Sequence, residues 1–272
     1  MAQRSLRQHI LQHIDSGQVD LRQLASSDTH SIQVNSCADT HKGWVRFVNE
    51  DAYLELPKER LWVVADGMGG HKRGDYASKT IINALKNFSR KKSHKKTSLL
   101  SLIEEVQNRL SEANDACQKA FQARRVGSTV TLLFEFGGYC FFLWAGDSRI
   151  YRLRDDKLLQ MTRDHSLAQE KYEKGELNQD EAKAHPSAHI LTRAVGVNRH
   201  LKLELRCSPT KPGDRYLLCS DGLYGGLGTQ EIETTLGLKI REDALQGLMT
   251  SALDNGGRDN ITIIIVDIDA KT

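Results

Sequence analysis

From residue 32 onward, runs rich in Val, Ile, Leu and aromatic residues alternate with short polar or glycine-bearing turns. They predict strands at residues 32–38, 52–56, 61–65, 128–136, 139–145, 149–153, 201–207, 214–219 and 260–268. Two longer segments, 75–88 and 98–121, repeat apolar residues three and four apart (Leu99, Leu102, Ile103, Val106, Leu110), the period of a helix laid on a sheet. Gly137-Gly138 between two apolar runs reads as a hairpin. Shorter helices are expected at 230–236 and 243–254. The polar stretch 164–189 reads as a surface excursion with one short helix. Before residue 32, Leu6, Ile10 and Ile14, then Leu21 and Leu24, recur at near-helical spacing and break at Ser16-Gly17. We therefore assign 1–35 as a partly helical extension with a packing or docking role, and 36–270 as one domain. Hairpin-joined strands with a pair of long helices point to an α+β fold with antiparallel sheet covered by helices, not to alternating parallel units.

Polar chemistry concentrates at the ends of the apolar runs. Leu61–Ala65 leads into Asp66-Gly67, Phe141–Ala145 into Gly146-Asp147-Ser148, Tyr216–Cys219 into Ser220-Asp221-Gly222, and Asp259-Asn260 precedes the run that starts at Ile261. An ionised carboxylate at the end of a buried strand is costly unless a cation meets it. One Asp-Gly alone is most simply a turn, but four such ends, with Glu50-Asp51 before another strand, favour a shared metal cluster. The donors are hard oxygens, and no Cys-x-x-Cys or His-Glu-x-x-His pattern favours zinc. Mg2+ or Mn2+ follows, and two such ions can clamp a phosphate and activate water.

The bulk numbers narrow the partners. The chain has 272 residues, 39% hydrophobic and 27% charged, enough for a real core. A formal charge of +3 creates no global field toward nucleic acid or membrane. Cys37, Cys117, Cys140, Cys207 and Cys219 are odd in number and widely spaced, as expected of reduced thiols in a cytoplasm-like compartment. Arg4 and Arg7 are not followed by a signal-like apolar core. No run approaches the roughly 20 apolar residues of a membrane span. A soluble, cytoplasmic monomer is the expectation. The run Arg90, Lys91, Lys92, Lys95, Lys96 lacks interleaved aromatics and reads as a solvated loop.

Arg46-x-x-Asn49-Glu50-Asp51, Asp66-Gly67-Met68-Gly69-Gly70-His71, Gly146-Asp147-Ser148-Arg149, Ser220-Asp221-Gly222 and Asp259-Asn260 occur in the order seen in the type 2C metal-dependent protein phosphatases, which the chain resembles over about residues 37 to 267. Gly127-Ser128-Thr129 before a strand agrees with the same family, and Asp164-His165-Ser166 and His185-Pro186 with Thr192-Arg193-Ala194 resemble the flap of its bacterial members. The resemblance implies a four-layer αββα sandwich, two antiparallel sheets flanked by helix pairs, with Mn2+ or Mg2+ bound at one edge. It implies Asp51 and Asp66 as ligands, Asp66 bridging both ions. The Gly67 carbonyl would coordinate one ion, Asp221 and Asp259 would hold the other, and Asp147 with Asp221 would support a third. Glu50 would position water and Arg46 would grip phosphate through its bidentate fork. Phosphorylated proteins are the implied substrates, opposing a Ser/Thr kinase in bacterial signalling or secretion. Met68 stands where many eukaryotic members carry a histidine proposed as general acid. His71, His165 and His189 are weaker candidates, each read first as structural or exposed.

Other phosphate chemistries fail on spacing. Gly69 to Gly74 has the glycine interval of a phosphate-binding loop but ends in Asp75-Tyr76 rather than Lys-Ser. A cysteine phosphatase needs an arginine six residues after its nucleophile, where Gly43, Ala123, Gly146, Gly213 and Gly225 stand. A non-catalytic phosphoprotein scaffold of the same fold would leave gaps among the acidic positions, and none is present. A two-metal nuclease would need the basic run to hold nucleic acid.

Overall fold

The structure, a computed structural model, describes residues 32–69, 73–88, 98–121 and 126–271. Of the expected extension 1–35, residues 32–35 belong instead to β1, paired with β12, and the rest lies outside the described residues, as do Gly70, His71 and the basic run 90–96. Twelve strands are β1 Ile32–His41, β2 Ala52–Leu56, β3 Leu61–Ala65, β4 Gly67–Met68, β5 Gly127–Ser128, β6 Val130–Phe136, β7 Tyr139–Ala145, β8 Arg149–Arg154, β9 Lys157–Gln160, β10 Glu204–Pro209, β11 Asp214–Cys219 and β12 Ile261–Ala270. The helices are α1 Arg73–Leu85, α2 Leu99–Ala120, α3 Leu167–Glu173, α4 Gln179–Ala184, α5 Asp221–Tyr224, α6 Thr229–Leu236 and α7 Arg241–Asp254.

Two antiparallel five-stranded sheets face each other, one ordered β1-β12-β11-β8-β9 and the other β10-β7-β6-β3-β2. Period-two alternation sends neighbouring side chains to opposite faces. Trp62, Val64, Phe142 and Trp144 therefore meet Tyr216, Leu218, Ile264 and Val266 between the sheets. Leu61, Val63, Phe141 and Leu143 turn outward against α1 and α2 through Ile81, Leu85, Leu102 and Leu110. Leu217, Ile263 and Ile265 turn outward against α6 and α7 through Ile232, Leu245 and Leu248. Antiparallel strands usually keep one wet, polar face. Here both faces are covered, which is why β3, β7 and most of β12 carry unbroken apolar runs. The αββα layering matches the expectation.

Local signals set the element ends. Ser98 caps α2, its Oγ accepting from Ser101 N–H at 3.2 Å. The Gly137-Gly138 turn joins β6 to β7, both glycines at positive φ. Several details depart from the sequence reading. The run 128–136 is not one strand: Ser128 ends β5, which pairs with β4 in a two-stranded sheet, and β6 starts at Val130. The run 201–207 is not one strand: β10 starts at Glu204, because Leu201 and Leu203 pack against the α1/α2 layer instead of pairing. The excursion 164–189 holds two helices, α3 and α4, the second closed by a reciprocal Asn178 and Glu181 capping box. β9 is an added edge strand pairing with β8. Among the described residues no helix is long and apolar enough to cross a membrane. None of the five cysteines forms a disulfide.

Candidate functional site

The topology delivers five carboxylates to one end of the two sheets. Asp66 follows β3, Asp147 lies between β7 and β8, Asp221 opens α5 after β11, Asp259 precedes β12 and Asp51 precedes β2. Each lies a hundred residues or more along the chain from at least one of the others, so only the folded sandwich assembles them. Each strand end that the sequence singled out reaches this edge.

The surroundings of Asp51 are the most fully built. Its Oδ2 accepts from Ser220 Oγ at 2.8 Å and from Thr262 Oγ1 at 2.7 Å, one hydroxyl from each neighbouring strand end. Its Oδ1 is buried and has no hydrogen-bond partner. Leaving a buried carboxylate oxygen unmet costs on the order of 1–3 kcal/mol. Burial is the main force that raises the Asp51 carboxyl to about 7, resisted by the Thr262 and Ser220 bonds and reinforced by Asp221 and Asp259. Burial, then Asp221 and Asp164, push Asp147 up to about 8. Asp66 is pushed well above the carboxylate range by burial and by Asp51, Asp221, Asp147 and Asp259 together. Asp66 is thus the carboxylate that all four others act upon. A set of oxygens that mutually resist ionisation, one of them orphaned, fits hard divalent cations.

In the arrangement present, no group of three His, Cys, Asp or Glu side chains among the described residues could hold an ion as placed. Protein contacts account for part of this. Arg46 takes Asp259 in a bidentate grip, Nε to Oδ1 at 2.8 Å and Nη2 to Oδ2 at 2.6 Å. A guanidinium therefore neutralises that carboxylate. Arg46 remains half exposed. Glu50 also has protein partners: its Oε1 accepts from Gly74 N–H at 3.1 Å in the first turn of α1, and its N–H donates to Asn260 Oδ1 at 2.8 Å.

Gly67 sits where backbones converge. A Cβ there would lie 2.3 Å from the Gly74 carbonyl oxygen and 2.5 Å from that of Glu50, so any side chain would push the start of α1 off the site. Met68 pairs with Gly127 across β4 and β5, and its side chain lies beside that glycine.

The histidines separate cleanly. His165 is buried, stacked on Trp144 with 5.7 Å between ring centroids. Its Nδ1 accepts from Gly146 N–H at 3.2 Å, and its Nε2 lies 3.0 Å from Glu204 Oε2. Burial leads the effects that lower its pKa. This is a structural histidine that fixes the turn carrying Asp147. His189 is largely exposed, with Nδ1 3.8 Å from Asp221 Oδ2.

Several supporting residues carried no distinct role in the sequence. Ser220 and Thr262 clamp Asp51; a hydroxyl beside each aspartate-bearing strand end was the available signal. Thr129 Oγ1 accepts from Asp66 N–H at 3.0 Å and shares a 2.7 Å bond with Ser148 Oγ. Tyr224 OH donates to the Asp147 carbonyl at 3.0 Å. Asn260 Nδ2 donates to the carbonyls of Lys42 and Val48 at 2.9 and 3.0 Å, pinning both ends of the loop that carries Arg46.

Comparison with known proteins places this geometry. The sequence profile described as protein phosphatase 2C matches residues 45–250. The serine/threonine phosphatase stp of Listeria innocua serovar 6a is 32% identical over 240 residues, 84% of this chain and 93% of its own length. Among solved structures, PppA, described as a key regulatory component of T6SS in Pseudomonas aeruginosa, superposes with a TM-score of 0.79 at 38% identity, covering 88% of this chain and 99% of that one. The catalytic domain of the serine/threonine protein phosphatase PstP, solved in complex with 2 manganese ions, gives a TM-score of 0.77 at 30% identity, covering 88% of this chain and 100% of its own.

Proposed function

Since the chain belongs to the protein phosphatase 2C family of metal-dependent serine/threonine phosphatases, in its bacterial form, we propose that its five edge carboxylates form the metal site at which phosphoserine and phosphothreonine in proteins are hydrolysed. The observation that carries this reading is the buried, unpartnered Oδ1 of Asp51 among carboxylates that raise one another. In this reading Asp51, Asp66 and the Gly67 carbonyl would hold one Mn2+ or Mg2+, Asp66, Asp221 and Asp259 would hold the second, and Asp147 with Asp221 would support a third. The bound cations supply positive charge against the phosphate and increase the acidity of water.

The chain's own residues do the rest. Ser220 and Thr262 fix one oxygen of Asp51, which leaves the other aimed at a single task. Arg46 uses Nε and Nη2 on Asp259, so Nη1 is available to a phosphate oxygen. Asn260 holds the Arg46 loop at fixed distance from Asp259. Hydrolysis forms a bond from water oxygen to phosphorus, breaks the bond to the seryl or threonyl oxygen and transfers a proton to that oxygen. Met68 has no proton to give, and His165 is committed to Gly146 and Glu204. The likeness to the named phosphatases supports a role in reversing a Ser/Thr kinase in signalling or secretion control.

The test is turnover of p-nitrophenyl phosphate and of a phosphothreonine peptide by the native chain and by Asp221→Asn, with Mn2+, Mg2+ or chelator. Metal-dependent turnover that falls by about 10^3 in Asp221→Asn is expected, roughly 4 kcal/mol of lost transition-state stabilisation. A folded, metal-loaded chain without turnover would refute it.

A further inference from the structure

The three most exposed large apolar side chains among the described residues, Phe47 at 92%, Trp44 at 63% and Val45 at 62%, are consecutive except for the residue between them, which is Arg46. The segment is no loose tip. Asn260 holds its two ends through the Lys42 and Val48 carbonyls. Trp44 N–H donates to the Gly257 carbonyl at 2.7 Å, and its Nε1 donates to the Leu253 carbonyl at 3.1 Å. The Trp44 ring meets His41 edge-on at 5.0 Å between centroids. A Cβ at Gly257 would lie 2.7 Å from Trp44 Cδ1, so the glycine makes the room the indole occupies. Trp44 and the backbone on both sides of Arg46 are therefore anchored, and exposed apolar side chains flank the arginine that the phosphatase reading assigns to phosphate.

Exposed, ordered apolar side chains gathered in one place mark interaction sites more often than chance. Position identifies the occupant. An extended chain advances about 3.3 Å per residue. A phosphoprotein that offers its phosphate to Arg46 must therefore lay its adjoining residues over the side chains on either side of that arginine.

Building on the phosphatase reading, we infer that Trp44, Val45 and Phe47 form a subsite for an apolar side chain within two positions of the phosphorylated serine or threonine, and so select among protein substrates. Because the surface is already ordered, binding does not have to freeze the loop, and the burial gain passes into affinity.

Two phosphothreonine peptides of equal length and charge, one with Leu flanking the phosphothreonine and one with Ser there, test the inference against the Mn2+-loaded full chain. The expected ratio of kcat/KM is about tenfold in favour of the Leu peptide, expressed mainly in KM. Phe47→Ser should bring that ratio close to one, and Phe47→Leu should restore most of it. Phe47 contacts little in the folded protein, so both variants are expected to fold. Equal kcat/KM for the two peptides in the wild type, with turnover intact, overturns this inference alone. Turnover of neither peptide overturns the phosphatase reading on which it rests. A wild-type dimer that Phe47→Ser converts to monomer would assign the surface to a second copy of this chain and overturn the inference as well.

Discussion

Both ends of the sandwich bury carboxylates, and they treat them in opposite ways. At the end marked by the β6–β7 hairpin and the start of β11, Asp214 is fully buried and receives Arg154 Nε and Nη2 at 2.5 and 2.6 Å. Glu135, also buried, pairs with Arg60, and Asp267 is bonded by Arg215 and Arg241. At the opposite end the density of acid is higher and the supply of protein cations lower. Among the described residues, Arg46 reaches Asp259 and His189 approaches Asp221, while Asp51, Asp66 and Asp147 have no ion pair with a basic side chain. Buried acid is thus closed by arginine at the first end, and at the end proposed to hold cations three of the five carboxylates are left without such a partner among the described residues. At the open end the hydroxyls of Ser220 and Thr262 orient the Asp51 carboxylate without neutralising it, while Thr129 and Asn260 bond the backbone that carries Asp66, Glu50 and the Arg46 loop.

This contrast can be broken at either end. The largest change is expected at the closed end: Arg154→Met would leave Asp214 buried without a counter-ion and lower stability by about 3 kcal/mol. Denaturant titration would show it, while kcat/KM per folded molecule stays at the native value. If instead activity falls and stability holds, the two ends are not separable.

Next in size is the response to cations. Saturating Mn2+ at roughly a hundred times its Kd should stabilise the folded chain by about 2.7 kcal/mol, read as a rise in thermal midpoint that chelator reverses. The same addition to Asp66→Asn should give a much smaller rise. An equal rise in both would place the ion elsewhere.

The smallest effect concerns pH in the metal-free protein. Folded Asp51 and Asp147 hold their protons up to about 7 and about 8, whereas an unfolded aspartate carboxyl releases its proton near 3.8. The folded state therefore binds more protons across that window. The stabilisation is complete below the unfolded value and is lost as pH climbs through the folded ones. Between about pH 7 and about pH 8, stability with chelator present should fall by on the order of 1 kcal/mol. With Mn2+ bound the fall should shrink or reverse, since ions require ionised ligands. A metal-free stability that rises over this range would mean that the open end is not self-repelling.

The sequence exposed much of this because its strongest signals were local. The runs at 61–65, 139–145 and 261–268 and the helical period around Leu99–Leu110 each contain their whole evidence within one element. The acidic strand ends were legible for the same reason: a buried run followed by Asp is a local conflict that asks for a remedy. What was not legible depends on distant partners. The grip of Arg46 on Asp259 joins residues 213 apart, and the clamp of Thr262 on Asp51 joins residues 211 apart. Leu201 and Leu203 looked like strand because apolar spacing does not distinguish pairing from packing under a helix layer. β9, with its polar Lys157 and Gln160, lacked the apolar content that marks a strand.

The place of β12 has a consequence for how the molecule comes into being. It lies between β1 and β11, bonded along β1 from Ile32↔Ala270 to His41↔Ile261. During ribosomal synthesis every other element emerges earlier, so β1 waits unpaired until the last strand arrives to seat itself in the middle of the sheet. Such distant pairing folds slowly and leaves strand edges exposed meanwhile. Asp259 enters with the same segment. A chain halted before residue 259 would lack both the strand that joins β1 to its sheet and one of the five carboxylates proposed to hold the cations.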